Sequence, residues 1–521
     1  MRFGSTYAHR RGIKRALLAL ASTIAAAPLS AQIWSPLGAD PSRFAELTGT
    51  LTPPPVPPAG FASGFVGPTL YIVHNSDIPY SLNDGALWAG RGTSASLTTG
   101  GAFTYRTDRY IVRGILAPTW TGVENLPFQI IHGADWTRSN FSSPWHYGQR
   151  SADLPLRFGD KPYRELSLGE TGIEVEYRNV VAGLTSASEW WGPGIRNALV
   201  LSDNAAGIPR AFVSTARPIH TPLGLISGRL FLGTLTESRF FDQYPDNDFR
   251  SINGLLLTFR PAVDTALTLG FARTVIQQSV SRFPSPKRSL DALWRWGQHA
   301  PRSTDSTVGR NQVFSVFARW LFPKPAVEVY GEWARNVVPR TVHEWLVAPY
   351  DGQAFTLGLQ SAHRLQRPGH FLRGQIEFSD LEQTYAFSDV PAPDFYTGTV
   401  PQGYTQFGQV IGAATGPGSS SQFVALDYIA PRWRAGAFIG RTRWENDAMY
   451  RLRFASAAKH DVTIYSGVRG GVKRFGLNAT GELTVGRRQN YLFQNDAFNA
   501  GELPRMAIDV QNITLEFQLS R

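Results

Sequence analysis

Apolar and polar residues alternate with period two along most of the chain, the pattern of strands with one apolar and one polar face. At the C-terminal end Ile513, Leu515, Phe517 and Leu519 share one face, and Thr514, Glu516, Gln518 and Ser520 share the other. The segment "AVEVYGEWA" opposes Val327, Val329 and Trp333 to Glu328, Tyr330 and Glu332, and "DVTIYSGVRGG" and "GLNATGELTVG" repeat the scheme. Half-polar strands throughout so long a chain predict a wet interior and an apolar exterior, inverted relative to a soluble sandwich. No apolar run after the first 31 residues approaches the ~20 residues that a membrane-spanning helix needs.

The turns alternate in size, as in transmembrane barrels with short periplasmic turns and longer outer loops. Short turn signals stand at Arg217–Leu223, Arg260–Asp264, Phe322–Pro325, Arg367–His370, Pro431–Trp433 and Gly471–Arg474. Between them lie long polar or Pro/Gly-rich segments, at about 236–250, 277–311, 336–353, 384–420 and 445–460, which read as external loops. Six short turns give twelve strands from about Ile208, and residues 507–521 add a thirteenth. Upstream strand candidates are "GGAFTYRT", "YIVRGILAPTW", "LPFQIIHGA" and "TGIEVEYRNVVAGL". An even total then requires three or five upstream strands. The fold class expected is therefore all-β, a transmembrane antiparallel outer-membrane β-barrel of about 18 strands, with 16 as the alternative.

The N-terminus sets the compartment. Arg2, Arg10, Arg11, Lys14 and Arg15 form a basic head, followed by the apolar run "ALLALASTIAAAPLSA", which reads as a secretory signal peptide over residues 1–31. Arg10-Arg11 fits an ordinary basic head better than a twin-arginine signal, because a barrel must cross the inner membrane unfolded. Residues 32–65 are expected to form a short N-terminal extension, periplasmic or tucked into the barrel, with a helix at Pro41–Leu47 and a proline-rich spacer, and residues 66–521 the barrel.

Removing five signal cations from 51 Lys and Arg leaves 46 against 40 acidic residues. So modest an excess in an exported chain does not indicate a nucleic-acid partner. Arginine outnumbers lysine 45 to 6. The planar guanidinium fork suits carboxylates and phosphates of an acidic glycan or lipopolysaccharide, although genomic bias would produce the same excess. The chain has no cysteine, which rules out thiol chemistry and disulfides. Fourteen Trp, 18 Tyr and 32 Phe suit aromatic girdles.

Candidate chemistry is sparse. No G-x-S-x-G nucleophile elbow occurs, and "GLISG" around Ser227 has the wrong spacing. "HEWLV" at His343 lacks a second zinc-binding histidine, and Asp242, Asp246 and Asp248 depart from the EF-hand spacing. No enzyme, metal or cofactor is expected. The stretch "SEWWGPGIRNALVLSDNAAGIPRA" differs, because tryptophan faces stack on sugar rings while Asn, Asp and Arg bond hydroxyls. Its candidate glycan-contact or scaffold residues are Trp190, Trp191, Gly192, Pro193, Gly194, Asn197, Asp203, Asn204 and Arg210.

The stretch from "LPLRFGDKPY" through "ASEWWGPGIRNALVLSDNAAGIPRAFVSTARPIHTPLGLISGRLFLGTLTESRFFD" resembles the Wzi-type capsule assembly proteins of the Gram-negative outer membrane. Weaker similarity continues through "YGEWARN", "AFTLGLQ" and "RGQIEFSDLEQT". The resemblance implies an 18-stranded lectin-like barrel that holds capsular polysaccharide at the cell surface without an enzymatic step. It departs from that pattern in ending at Arg521, leaving Phe517 or Leu519 to the barrel assembly machinery, and in an N-terminal region short for a helical bundle. The protein is expected to be a monomer in contact with outer-membrane lipid and lipopolysaccharide, with a porin-like channel as the alternative and an outer-membrane hydrolase as the third reading.

Overall fold

A computed structural model describes residues 41–51, 57–131, 138–146, 148–279, 281–286, 290–294, 309–337, 341–347, 350–383, 394–451, 459–493 and 509–520. The expected signal peptide and part of the proline-rich spacer lie outside these residues.

The chain closes into one antiparallel barrel of 18 strands. The first five are β1 (Gly60–Asn75), β2 (Gly92–Arg106), β3 (Tyr110–Leu116, resuming at Thr119–Val123), β4 (Tyr163–Ser167 and Gly172–Tyr177) and β5 (Val180–Thr185). Then come β6 (Arg210–Thr215, with Ile219–Thr221), β7 (Gly224–Thr236), β8 (Phe249–Pro261), β9 (Leu267–Ser279), β10 (Arg310–Phe322) and β11 (Val327–Arg335). The circuit ends with β12 (Gln353–Arg364), β13 (Phe371–Asp380), β14 (Ser420–Ile429), β15 (Trp433–Trp444), β16 (Asp461–Arg474), β17 (Leu477–Gln489) and β18 (Val510–Ser520). Each strand pairs with its neighbour in sequence, and β18 pairs with β1 from Thr69↔Ser520 to Asn75↔Thr514, so the sheet has no free edge.

The period-two pattern resolves as expected. On β18 Ile513, Leu515 and Phe517 are exposed on the outer wall, whereas Asn512 and Thr514 are buried toward the lumen. On β11 Val329 faces out, and Glu328, Tyr330 and Glu332 are buried inside. An exterior of exposed Leu, Val, Ile and Phe is stable only against lipid. The lumen is lined with charged and polar groups that satisfy one another: Glu328 accepts hydrogen bonds from Arg43, Arg319 and Gln360, and Asp427 from Arg373 and Arg469. Much of the arginine excess thus pairs with the protein's own carboxylates.

Thirteen strands follow Ile208 and five precede it, as the turn count anticipates. Three local expectations change. The turn placed at Gly471–Arg474 falls one step later, at Arg474–Leu477, because Gly471 to Arg474 continue the ladder with β17 and the left-handed pair Phe475 and Gly476 reverses the chain. "LPFQIIHGA" forms no strand over its described residues 126–131; its apolar run packs in an external loop, where Ile131 joins Ile78, Tyr491 and Leu492. The first strand starts at Gly60, ahead of the boundary expected at residue 66.

The helix α1 (Pro41–Leu47) enters the short-turn end of the barrel. Leu47 packs with Leu321, Ala326, Ala362 and Phe371, and Phe44 sits edge-on to Phe371 at 5.4 Å. Arg43 is fixed between Glu328 and the Tyr330 ring, 4.9 Å away, and Arg319 reaches Glu46 at 2.8 Å. A vestibule of about 360 Å³ remains beside it, toward β14 to β18.

Candidate functional site

Two external loops fold inward and fill the middle of the lumen. One is the tryptophan-rich connection from β5 to β6; the other links β13 to β14. Their apolar residues make one core: Trp191, Leu199, Val200 and Leu201 from the first, Val400, Tyr404, Val410 and Ile411 from the second, against Phe231 and Ile252 of the wall. Tyr396 and Tyr404 stack at 5.2 Å and donate their hydroxyls to the Leu199 and Val200 carbonyls.

Lumen carboxylates hold this plug to the wall. Glu377 on β13 accepts from the backbone N–H groups of Ile195, Arg196 and Asn197 and from the Tyr330 hydroxyl. Glu332 on β11 accepts from Leu199 N–H at 3.2 Å. Gly192 has φ 131°, and a Cβ there would stand 2.5 Å from a Glu332 oxygen. At Gly194 a Cβ would meet the Asn197 carbonyl at 2.0 Å. The Gly-Pro-Gly turn therefore lets the backbone lie directly against the acidic wall.

The residues singled out in sequence converge here. Trp190 and Trp191 are buried; their indoles donate to the Gly194 carbonyl at 2.9 Å and to Glu189 at 2.8 Å. Pro193 is buried within the same turn. Arg210 bonds Glu189 and the carbonyls of Ala187 and Ile208, and Arg229 joins it on Glu189. Burial alone would raise the Glu189 pKa, but the two guanidinium groups outweigh it and hold the carboxylate below its usual range. Asn197 donates to Ser421, and Asn204 donates to the Val410 carbonyl while accepting from Asn83 N–H. Asp203 offers its backbone carbonyl to Gly85 N–H. These groups spend their bonding capacity inside the protein, and the Trp190 and Trp191 rings have no open face of the kind a sugar stacks on.

An open aromatic site lies nearby, between the plug and the wall at the long-loop end. A cleft of about 200 Å³ is lined by Trp88, Trp145 and Trp444, with Asn204, Gln409 and Arg488 among its polar groups. It joins a second lobe of about 160 Å³ along β15 to β18, where Thr463, Thr484 and Thr514 face inward. All three tryptophans are half-buried, so each keeps surface toward the cleft. Trp444 is fixed by its N–H on Thr463 at 2.8 Å and by Arg488 over its ring at 5.1 Å. Arg488 is held in turn by a two-pronged bond to Asp461, at 2.7 and 2.8 Å. Non-glycine residues with left-handed backbone bound the site, Glu445 (φ 43°), Leu492 (φ 55°) and Phe493 (φ 64°). Such backbone persists only where the surroundings enforce it.

Of the sequence candidates only Asn204 lines this cleft. Trp88, Trp145, Trp444 and Arg488 were missed, because tryptophans scattered over the chain carry no spacing signal. The available sign was position: "GALWAGRG", "SSPWHYG" and "RTRWEND" each set a Trp at or within an external loop.

A profile of the capsule assembly protein Wzi family matches residues 146–431, more than half of the chain. The chain belongs to the Wzi capsule assembly family. Among solved structures, the chain is similar to Wzi of Escherichia coli, described as an outer-membrane protein involved in group 1 capsule assembly and a carbohydrate-binding β-barrel. That likeness has a TM-score of 0.53 at 14% identity and covers 91% of this chain and 85% of the other. OccAB3 of Acinetobacter baumannii superposes with a TM-score of 0.42 at 10% identity, covering 88% of this chain and 98% of the other. No curated protein matches by sequence. This Wzi-family barrel is a protein of the Gram-negative outer membrane, its short turns facing the periplasm and its long loops the exterior.

Proposed function

We propose that this Wzi-family barrel binds capsular or related surface polysaccharide noncovalently in the two-lobed external cleft, and so holds capsule at the cell surface without a chemical step. The observation that carries the reading is the meeting of three half-buried tryptophans with Asn204, Gln409 and Arg488 in one cleft open to the outside. Indole faces take the C–H-rich faces of sugar rings, and the amides and guanidinium bond hydroxyl or carboxylate groups. Asp461 offsets the Arg488 charge, so the site suits neutral or weakly acidic sugar units better than a polyanion. The nine residues of the tryptophan-rich stretch serve the site indirectly, by seating the plug that forms its inner wall; Asn204 alone does both.

The test is binding of purified barrel to capsular polysaccharide fragments, with Trp88→Ala, Trp145→Ala and Trp444→Ala variants that keep the unheated gel mobility of a closed barrel. Loss of about fivefold in affinity per tryptophan is expected from ~1 kcal/mol of aromatic contact. Unchanged affinity in all three would overturn the assignment. In a capsulated strain, deletion should move capsule from the cell to the medium.

A further inference from the structure

The two ends of the barrel treat arginine differently. At the external end many of the guanidinium groups are paired, Arg443 with Glu382, Arg451 with Asp394, Arg487 with Asp509 and Arg488 with Asp461, while Arg239 and Arg282 stand exposed there without an ion pair among the described residues. The periplasmic turns show the opposite. From β2 to the β10–β11 turn, an exposed cation stands at each reversal: Arg109, Arg178, Arg217, Arg260 and Lys324. The circuit closes with Arg367, Arg432 and Arg474, also exposed. None of these eight makes an ion pair among the described residues, and at the same turns only Asp108 and Asp264 bring negative charge. Asp264 is engaged with the Trp320 indole at 2.9 Å.

The ring has a defined depth. Outward aromatic residues sit one step toward the membrane: Tyr105 and Tyr110 flank the Arg109 turn with rings 6.2 Å apart, and Trp433 follows Arg432. Arg178 lies 5.3 Å from the Tyr177 ring. Aromatic girdles mark the level of the lipid carbonyls, so cations just beyond them lie at the level of the headgroup phosphates.

We infer that the periplasmic turns form a ring that selects anionic phospholipid headgroups in the inner leaflet of the outer membrane. The ligand chemistry is a phosphodiester bearing net negative charge, held by exposed guanidinium groups against an aromatic belt; the neutral glycan cleft at the other end plays no part.

The experiment uses the full barrel in phosphatidylcholine vesicles, with spin-labelled phosphatidylglycerol or spin-labelled phosphatidylcholine as boundary-lipid probes. At low salt phosphatidylglycerol should be enriched next to the protein by about threefold, the scale expected of cations at an anionic surface, and less at 0.5 M salt, where the screening length falls to roughly 4 Å. A combined Arg109→Gln, Arg178→Gln, Arg432→Gln and Arg474→Gln variant should lose most of the enrichment while keeping the heat-shifted gel mobility. The external Arg443→Gln variant should keep it. Absence of enrichment in the wild-type protein, or its survival in the combined variant, would overturn the proposal; a soluble acidic periplasmic partner would produce the first of these results.

Discussion

Replacing Glu377 by alanine should unseat the plug while leaving the barrel intact. The Glu377 side chain points into the lumen while its backbone pairs with Gly358 and Phe423, so the β13 ladder survives loss of the carboxylate. Its carboxylate accepts from three consecutive backbone N–H groups, at 2.9 and 3.0 Å for Asn197 and Arg196 with Ile195 beside them, and from Tyr330 at 2.7 Å. Each backbone N–H orphaned in a buried site costs about 1–3 kcal/mol. Water entering the vacated space recovers part of that, which leaves about 3–6 kcal/mol, or roughly two to four decades in the seating equilibrium. A glutamine at the same place retains one acceptor oxygen and should lose about half as much. The assay is conductance in planar bilayers: closed wild-type barrels, frequent openings for Glu377→Ala, and rare ones for Glu377→Gln. Boiled and unheated gel mobility verifies that the barrel is closed. A folded Glu377→Ala protein as silent as wild type would refute the claim that these bonds seat the plug.

Further outcomes follow from the same contacts. Trp191→Ala should destabilise the plug by about 3–5 kcal/mol through the cavity it leaves against Phe231, 5.3 Å away, as read by protease sensitivity of residues 186–209; an unchanged digestion pattern would count against a packing role. Arg43→Ala should expose α1 to periplasmic protease, because it strips one partner from the buried Glu328; continued protection would show that Phe44 and Leu47 suffice. Asp84, in the loop after β1, has its pKa pushed up to about 7, chiefly by burial and against its bonds from Ser81 and Tyr71. An acid raised in the folded state contributes stability that is complete below its unfolded value near 4 and is lost as pH rises through about 7. Hydrogen exchange in residues 76–91, corrected for intrinsic rate, should therefore show more opening at pH 8 than at pH 5, and Asp84→Asn should abolish the difference.

The barrel was legible because its two signals are local. Lipid outside and water inside force strict alternation, as at Ile513 to Ser520, and each periplasmic reversal needs turn residues, as at Pro431–Trp433. The slip at Gly471–Arg474 has the same origin: the adjacent glycines Gly470 and Gly471 look like a turn, but they stay in the ladder opposite Gly481 and Thr480, where a Cβ on Gly471 would stand 2.9 Å from the Thr480 methyl, and the reversal belongs to Phe475-Gly476. The site was less legible. Trp190 and Trp191 drew attention by adjacency, yet adjacency in sequence says nothing of which ring face stays open. That depends on Glu189, Phe231 and Gly194 closing around them. Trp88 and Trp145 come from two separate loops and Trp444 from the end of β15, and only closure of the barrel brings them to one cleft.

The family match and the cleft divide the molecule in an informative way. Residues 146–431 hold the tryptophan-rich plug loop, its carboxylate anchors Glu332 and Glu377, and the second plug loop with Tyr396 and Tyr404. Trp88, Trp145, Trp444, Asp461 and Arg488 all fall outside that range. What the match covers is thus the plug that fills the lumen and builds the inner wall of a cleft, with Asn204 and Gln409 on it, while the tryptophans and the arginine that would meet a sugar are supplied from elsewhere in the chain. On the binding reading proposed above, the matched segment would set where a polysaccharide is held and the residues outside it which one. Exchanging the loops that carry Trp88 and Trp145 between two family members should transfer glycan preference while the plug stays seated. Transfer of preference with the tryptophan-rich loop instead would return the recognition role to Trp190 and Trp191.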